Sequence, residues 1–242
     1  MKKISFLLLF AVGAITAQTR EKPNVIKSNV LAYTLRNVNA GYEHIFTRRF
    51  SLGASVGFMM KGAIPFVNTF NNDENLKTDK ATVSGQTYTV EPRFYLGKGY
   101  GEGLYLSPYL RFSSFIVNRV VYYYHGTSDN VSYTVPITFG GKVNGTSGGL
   151  LFGGQWFLGE KKNWVLDAWF IGAHYGSGNG DIIGRSPVPL SVKMQQDIKR
   201  EIDNTDIPLI KLDATMNERG ADAKVGGPWA GLRTGLSVGY RF

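Results

Sequence analysis

The stretch that most constrains this chain is its last, "GLRTGLSVGYRF", Gly231 to Phe242. Taking every second residue puts Leu232, Thr234, Leu236, Val238, Tyr240 and Phe242 in one set, and Arg233, Gly235, Ser237, Gly239 and Arg241 in the other. A β-strand sends successive side chains to opposite faces, so the segment has one apolar face and one face of arginine, glycine and serine. The same alternation recurs at Ile26 to Thr34, Asn39 to Phe46, Phe50 to Phe58, Tyr88 to Leu96, Leu104 to Val117, within Gly148 to Leu158, and at Trp164 to Tyr175. With the terminal segment these make eight strands.

Connection lengths then alternate. "TRR", "GKGYGEG" and "GEKKN" are short, whereas the links after the third, fifth and seventh strands are long. One end of the sheet is trimmed and the other is not, which is the build of outer-membrane barrels with short periplasmic turns and long external loops. The expected fold is therefore all-β, an eight-stranded antiparallel transmembrane β-barrel with both termini at the trimmed end. Between the fifth and sixth strands, "RVVYYYHGTSDNVSYTVPITFGGKV" reads as a hairpin projecting beyond the bilayer. The last external loop, about 178–228, holds a short helix in "LSVKMQQDIKREIDN", where Leu190, Met194, Ile198 and Ile202 recur every fourth residue. Pro92 and Pro108 fall inside strands, where proline usually marks a bulge or an edge.

Alternation alone does not say which face is outside. The lysines Lys61, Lys77, Lys98, Lys142, Lys161 and Lys162, among others, sit in turns and loops, with Lys27 at the edge of the first strand. A water-coated barrel would carry such residues along its strands. The apolar phase, including Leu52, Phe58, Val90, Phe94, Leu104, Leu110 and Phe170, therefore reads as lipid-facing. At the trimmed end an interfacial aromatic girdle is expected from Phe46 and Phe50, Tyr100 and Tyr105, Trp156 and Trp164, and Tyr240 and Phe242.

The inward phase holds Glu43, Glu91, Arg93, Arg111, Asp167, Arg233 and Arg241. An eight-stranded barrel is just wide enough for side chains to fill, and buried charges must be paired. A polar plug is the first reading of this interior charge network, with Tyr95, Tyr109 and Trp169 filling space. A binding pocket or narrow conductance path is the alternative.

The opening "MKKISFLLLFAVGAITAQ" has a basic start, a short apolar run and small residues before Gln18, the order of a signal peptide over 1–17, which leaves 18–242 as the barrel domain. Export with a net charge of +9, or +7 without Lys2 and Lys3, argues for an anionic membrane surface and against nucleic acid. There is no cysteine, so disulfides, thiolate metal sites and cysteine nucleophiles are excluded. Catalysis has weak support. His125 lies near Ser128, and His174, in the outward phase, lies near Ser177 and Asp181, which leaves a lipid-modifying hydrolase or acyltransferase as the alternative to a non-enzyme. His44, His125 and His174 have no ligand spacing, so no metal and no cofactor is expected.

The run "KSNVLAYT…NAGYEHIF…RRFSLGASVGF", followed by "VEPRFYL", resembles a domain-of-unknown-function family of small OmpA-like outer-membrane barrels typical of Bacteroidetes. The resemblance implies location in the cell outer membrane and carries no catalytic residues to transfer. A last strand ending in Phe242 is similar to the signal that such barrels present to their assembly machinery. The segment after Gly178 has no counterpart in the family, and any external partner would meet the chain there. The expected role is structural or interactive at the cell surface, with a small channel or binder for hydrophobic solutes as a further alternative.

Overall fold

Strand-forming segments pair with their neighbours until the sheet meets itself. The computed structural model describes residues 22–65, 74–128, 131–204 and 211–242, so the leader expected at 1–17 lies outside the described residues. The strands are β1 Asn24–Asn29, β2 Asn37–Ile45, β3 Phe50–Ala63, β4 Leu76–Lys77, β5 Thr82–Tyr95, β6 Gly103–Ser128, β7 Val131–Leu158, β8 Trp164–Arg185, β9 Lys211–Asn217, β10 Gly220–Pro228 and β11 Gly231–Arg241, with one α-helix, α1 Val192–Asn204. Eight of them close a ring in the order β1-β2-β3-β5-β6-β7-β8-β11. Closure comes from β11, which pairs with β8 from Gly231↔His174 to Tyr240↔Trp164 and with β1 from Arg241↔Val25 to Ser237↔Asn29. All these pairings are antiparallel. The eight-stranded antiparallel barrel is the fold the sequence predicts.

The first strand is shorter than the sequence suggests. β1 ends at Asn29, and Leu31–Leu35 turns into a 3-10 helix. The cause is Asn39, whose side chain takes the place of a strand partner: its Oδ1 accepts from the Asn29 N–H at 2.6 Å and its Nδ2 donates to the Asn29 carbonyl at 3.0 Å. With those groups occupied, β1 has nothing to gain by continuing alongside β2.

The two strand prolines mark no bulge. Val90↔Leu110 and Phe94↔Leu106 bracket them without a register shift, which sets Pro92 opposite Pro108. Two residues that both lack an N–H thus share one gap in the ladder, and the Ser107 hydroxyl donates to the Pro92 carbonyl there at 2.7 Å. The register shifts lie elsewhere. In β8 one falls at Phe170 and Ile171, seen from both β7 and β11, and it reverses the face of everything that follows.

The barrel is lopsided. β6, β7 and β8 run 26, 28 and 22 residues, while β1 and β2 run 6 and 9. The predicted hairpin is thus continuous with the wall. The last connection is also more regular than a loop: β8 continues to Arg185, β10 pairs on β8, and β9 pairs on β10. Helix α1 starts where the Ser191 hydroxyl accepts from the Met194 N–H, and it lays Ile198 and the preceding Leu190 onto Tyr124, Val135 and Ile137. Met194 and Ile202 pack at the margin of that cluster. This is a second small core, raised above the ring on its tall side.

The ring closes through β8 and β11 below that core, so the two are separable. Deleting residues 186–226 and bridging the gap should leave a barrel that still resists detergent unfolding. It should also strip the cover from Val135 and Ile137, each a loss of about 1.5 to 3 kcal/mol of burial. Chymotrypsin should then cut around Tyr122 to Tyr124 in the deletion and spare the full chain. A deletion that cannot assemble would show that α1 and β9–β10 are needed to fold the ring.

Candidate functional site

The interior is built in layers from the short-turn end upward. Val25, Ile45, Phe157 and Val165 form an apolar floor. The turn after β5 folds beneath it, with Gly101 in the left-handed region at φ 67° and the Tyr100 hydroxyl donating to the Ile45 carbonyl at 2.9 Å. Gly101 is required there, because a Cβ would come within 2.5 Å of the Ile45 side chain. Arg241 joins this floor. Its Nε donates to the Lys22 carbonyl at 2.6 Å, and its guanidinium stacks on Phe157 at 4.2 Å.

Above the floor lies the charge layer. Glu43 and Asp167 are fully buried, and Lys27 reaches both, at 2.5 and 2.7 Å. Arg93, also fully buried, is the hub: it donates to Asp167 at 2.9 Å, pairs with Glu91, and lies 3.4 Å from Glu43. Arg233 donates to the other oxygen of Glu91 at 2.7 Å. Neutral donors fill the remaining acceptor sites. Ser51 and Tyr95 donate to Glu43 at 2.5 and 2.6 Å, and Tyr105 donates to Asp167 at 2.6 Å. Gln155 accepts from Lys27 and donates to the Tyr95 hydroxyl and the Gly101 carbonyl, which ties the layer to the floor.

Aromatic rings roof the layer. Arg93 sits 4.3 Å over Tyr105, and Arg233 is held between Trp169 at 4.1 Å and Tyr109 at 4.9 Å. Stacking of these buried guanidiniums on rings adds to the ion pairs. Higher still, a cavity of about 500 Å³ opens, lined in part by Arg111, Phe115 and Trp169. Phe115 stacks on Trp229, which enters the mouth from the segment after β10 and lies over Gly145 and Gly178. A Cβ on either glycine would fall 2.3 or 2.8 Å from the indole.

Of the seven interior charges the sequence nominates, Glu43, Glu91, Arg93, Asp167 and Arg233 come together. Arg241 lies in the floor and Arg111 in the cavity wall. Lys27, at the edge of the first strand in the sequence, belongs to the centre. Period two finds it, because Ile26 is exposed and Val25 buried, so Lys27 must point in with Val25. The same rule moves Tyr105 out of the aromatic girdle: it stands between exposed Leu104 and Leu106 and is fully buried. Tyr100 leaves the girdle too, folded under the floor. Phe46, Phe50, Trp156, Trp164, Tyr240 and Phe242 remain at the short-turn rim, with Phe46 stacked on Phe50 at 5.8 Å and Trp164 edge-on to Tyr240 at 5.9 Å. 

No family model, no curated protein and no solved structure matches this chain.

The histidines do not assemble with the serines beside them. The β8 bulge turns His174 inward, where its Nδ1 lies 3.2 Å from the Tyr109 hydroxyl, while Ser177 falls on the opposite face. His125 meets Thr134 at 2.9 Å, and the side chain of Ser128 lies outside the described residues.

Proposed function

We propose that this barrel spans the outer membrane, its short-turn end in the periplasm, as a structural or interaction protein of the cell surface with a filled lumen rather than an open pore. The observation that supports this most is the inversion of the wall. From Leu104 to Phe112, the outward row of β6 is Leu104, Leu106, Pro108, Leu110 and Phe112, and those leucines and the phenylalanine are 38% to 57% exposed. Leu52, Val90, Phe94 and Leu150 extend the belt on the neighbouring strands. In water so broad an apolar surface would drive aggregation; in lipid it costs nothing. The charges that a soluble barrel would wear outside are paired inside.

Two partners follow from that placement, the lipid of the membrane and the assembly machinery that would insert the barrel there. The sheet of β6, β7, β8, β10 and β9, with α1 on it, rises where an external partner would meet it. No cofactor is required for this role.

The test is fractionation with a gel. The protein should be recovered with the outer membrane, and its unboiled form should migrate differently in detergent from its boiled form. Recovery as a soluble periplasmic protein in the absence of detergent would defeat the reading.

A further inference from the structure

We propose that the cavity above the charge layer binds the anionic headgroup of an acyl amphiphile, with Arg111 as the cation that meets it. The charge count points there first. Lys27, Arg93 and Arg233 match Glu43, Glu91 and Asp167 one for one; of the two further inward cations, Arg241 is engaged in the floor by the Lys22 carbonyl and Phe157, which leaves Arg111 as the surplus cation that faces the cavity. Arg111 has no ion pair or hydrogen bond among the described residues, and it lines the cavity together with Arg233. A half-buried guanidinium in the wall of a cavity, with no carboxylate beside it, is a ready anion site, and a carboxylate or phosphate is the group whose geometry suits it.

One unmet hydrogen-bonding group belongs to a lining residue and another to the register partner of Arg111. The Nε of Arg233, a residue only 6% exposed, has no partner, and neither has the hydroxyl of Ser147, which is 2% exposed and pairs in register with Arg111. Buried polar atoms are rarely left unsatisfied. Asn29, Asn39, Thr87 and Thr89 complete the polar side of the cavity.

The other side is apolar and reaches the outer surface. Because β1 pairs with β11 only up to Asn29↔Ser237, and with β2 only up to Lys27↔Gly41, no strand fills the wall between residues 37–40 of β2 and residues 231–236 of β11. The 3-10 turn Leu31–Leu35 occupies the notch instead. The cavity is lined there by Leu31, Leu35 and Met59, and it extends to Val56 and Leu232. Leu232 is 82% exposed on the outward face. A headgroup at Arg111 could therefore leave its chain lying through the notch against the belt. The lateral route rests on the outer-membrane reading. The anion site does not.

The test uses the full-length barrel carrying Trp156→Phe, Trp164→Phe and Trp229→Phe, in non-ionic detergent, titrated with three brominated probes whose quenching then reports approach to Trp169. They are dibromostearate, a dibromoacyl lysophosphatidylglycerol and dibromostearyl alcohol. Saturable quenching is expected from an anionic probe, with the alcohol about tenfold weaker. Binding of the carboxylate alone would assign a fatty acid, and of the phosphate alone a phospholipid. Arg111→Gln should weaken the anion about tenfold and leave the alcohol unchanged, and Arg111→Lys should restore part of the loss. Equal binding of the alcohol, or no effect of Arg111→Gln, would overturn the site. So would failure of Arg111→Gln to assemble, because the guanidinium would then be satisfied by the wall. A barrel that proves soluble yet shows the same titration would keep the anion site and lose only the lateral route.

Discussion

Arg93→Ala should lower the unfolding free energy of the barrel in detergent or lipid by about 3 to 5 kcal/mol, the usual cost of removing one partner from a buried ion pair. The side chain is fully buried and is the only cation whose guanidinium spans Glu43, Glu91 and Asp167 among the described residues. Without it, three carboxylates share Lys27 and Arg233. The cost is the uncompensated charge left behind and not the net worth of the pair, so a protein with a wet lumen would behave differently. Water would solvate the stranded carboxylates, and the loss would shrink to about 1 kcal/mol or less. Urea titration of the wild type and variant measures the difference directly. Added salt should change it little, since mobile ions do not enter a dry layer. A near-neutral variant accompanied by steady conductance of the wild type in planar bilayers would mean an open pore.

The same reasoning separates two arginines that look alike in sequence. Arg93 and Arg111 both fall on the inward phase of their strands. Arg93 has carboxylates to meet on other strands, because Asp167 and Glu43 face it across the ring at the same height, in addition to Glu91 two residues away on its own strand. Height in a barrel is set by strand tilt and register, which accumulate around the ring, and neither is written in any one strand. Face, by contrast, is local. Period two gives it wherever pairing is regular, and it correctly turns Glu43, Glu91, Arg93, Asp167 and Arg233 inward; followed strictly, it also places Lys27 and Tyr105.

Where the sequence misleads, the cause is a break in that period or a pairing made without strand-like residues. The bulge at Phe170 and Ile171 reverses β8, so His174 points to Tyr109 while its neighbours in sequence suggest the outside. The far end of β8, "GSGNGDIIG", is too rich in glycine to read as a strand, yet its backbone pairs with both β7 and β10. Its one legible clue is Gly145 opposite Gly178, which makes the shallow bed that Trp229 occupies. The helix could be read because its apolar stripe is local. What it packs on could not, since Val135 and Ile137 are more than fifty residues away in the chain.

Leu110→Arg should cost about 2 to 4 kcal/mol when the barrel folds into a bilayer, the value for arginine near the midplane on a lipid-facing strand. Leu110 is suited to the measurement. It is 57% exposed, points outward between Leu106 and Phe112 on the same row, and faces Val90 and Gly148 in register, so the arginine meets no wall atom it must displace. The aromatic rim at Trp156 and Trp164 lies below it and the raised sheet above, which puts it near the middle of the belt. Its effect therefore reports the solvent outside the barrel and not the packing within. In water the same change is a surface substitution of at most about 0.5 kcal/mol. Folding into vesicles should show the full penalty, and moving the arginine to Phe46, at the rim, should reduce it to about 1 kcal/mol or less. Equal and small effects at both positions would place the wall in water, and the inverted barrel would need another explanation.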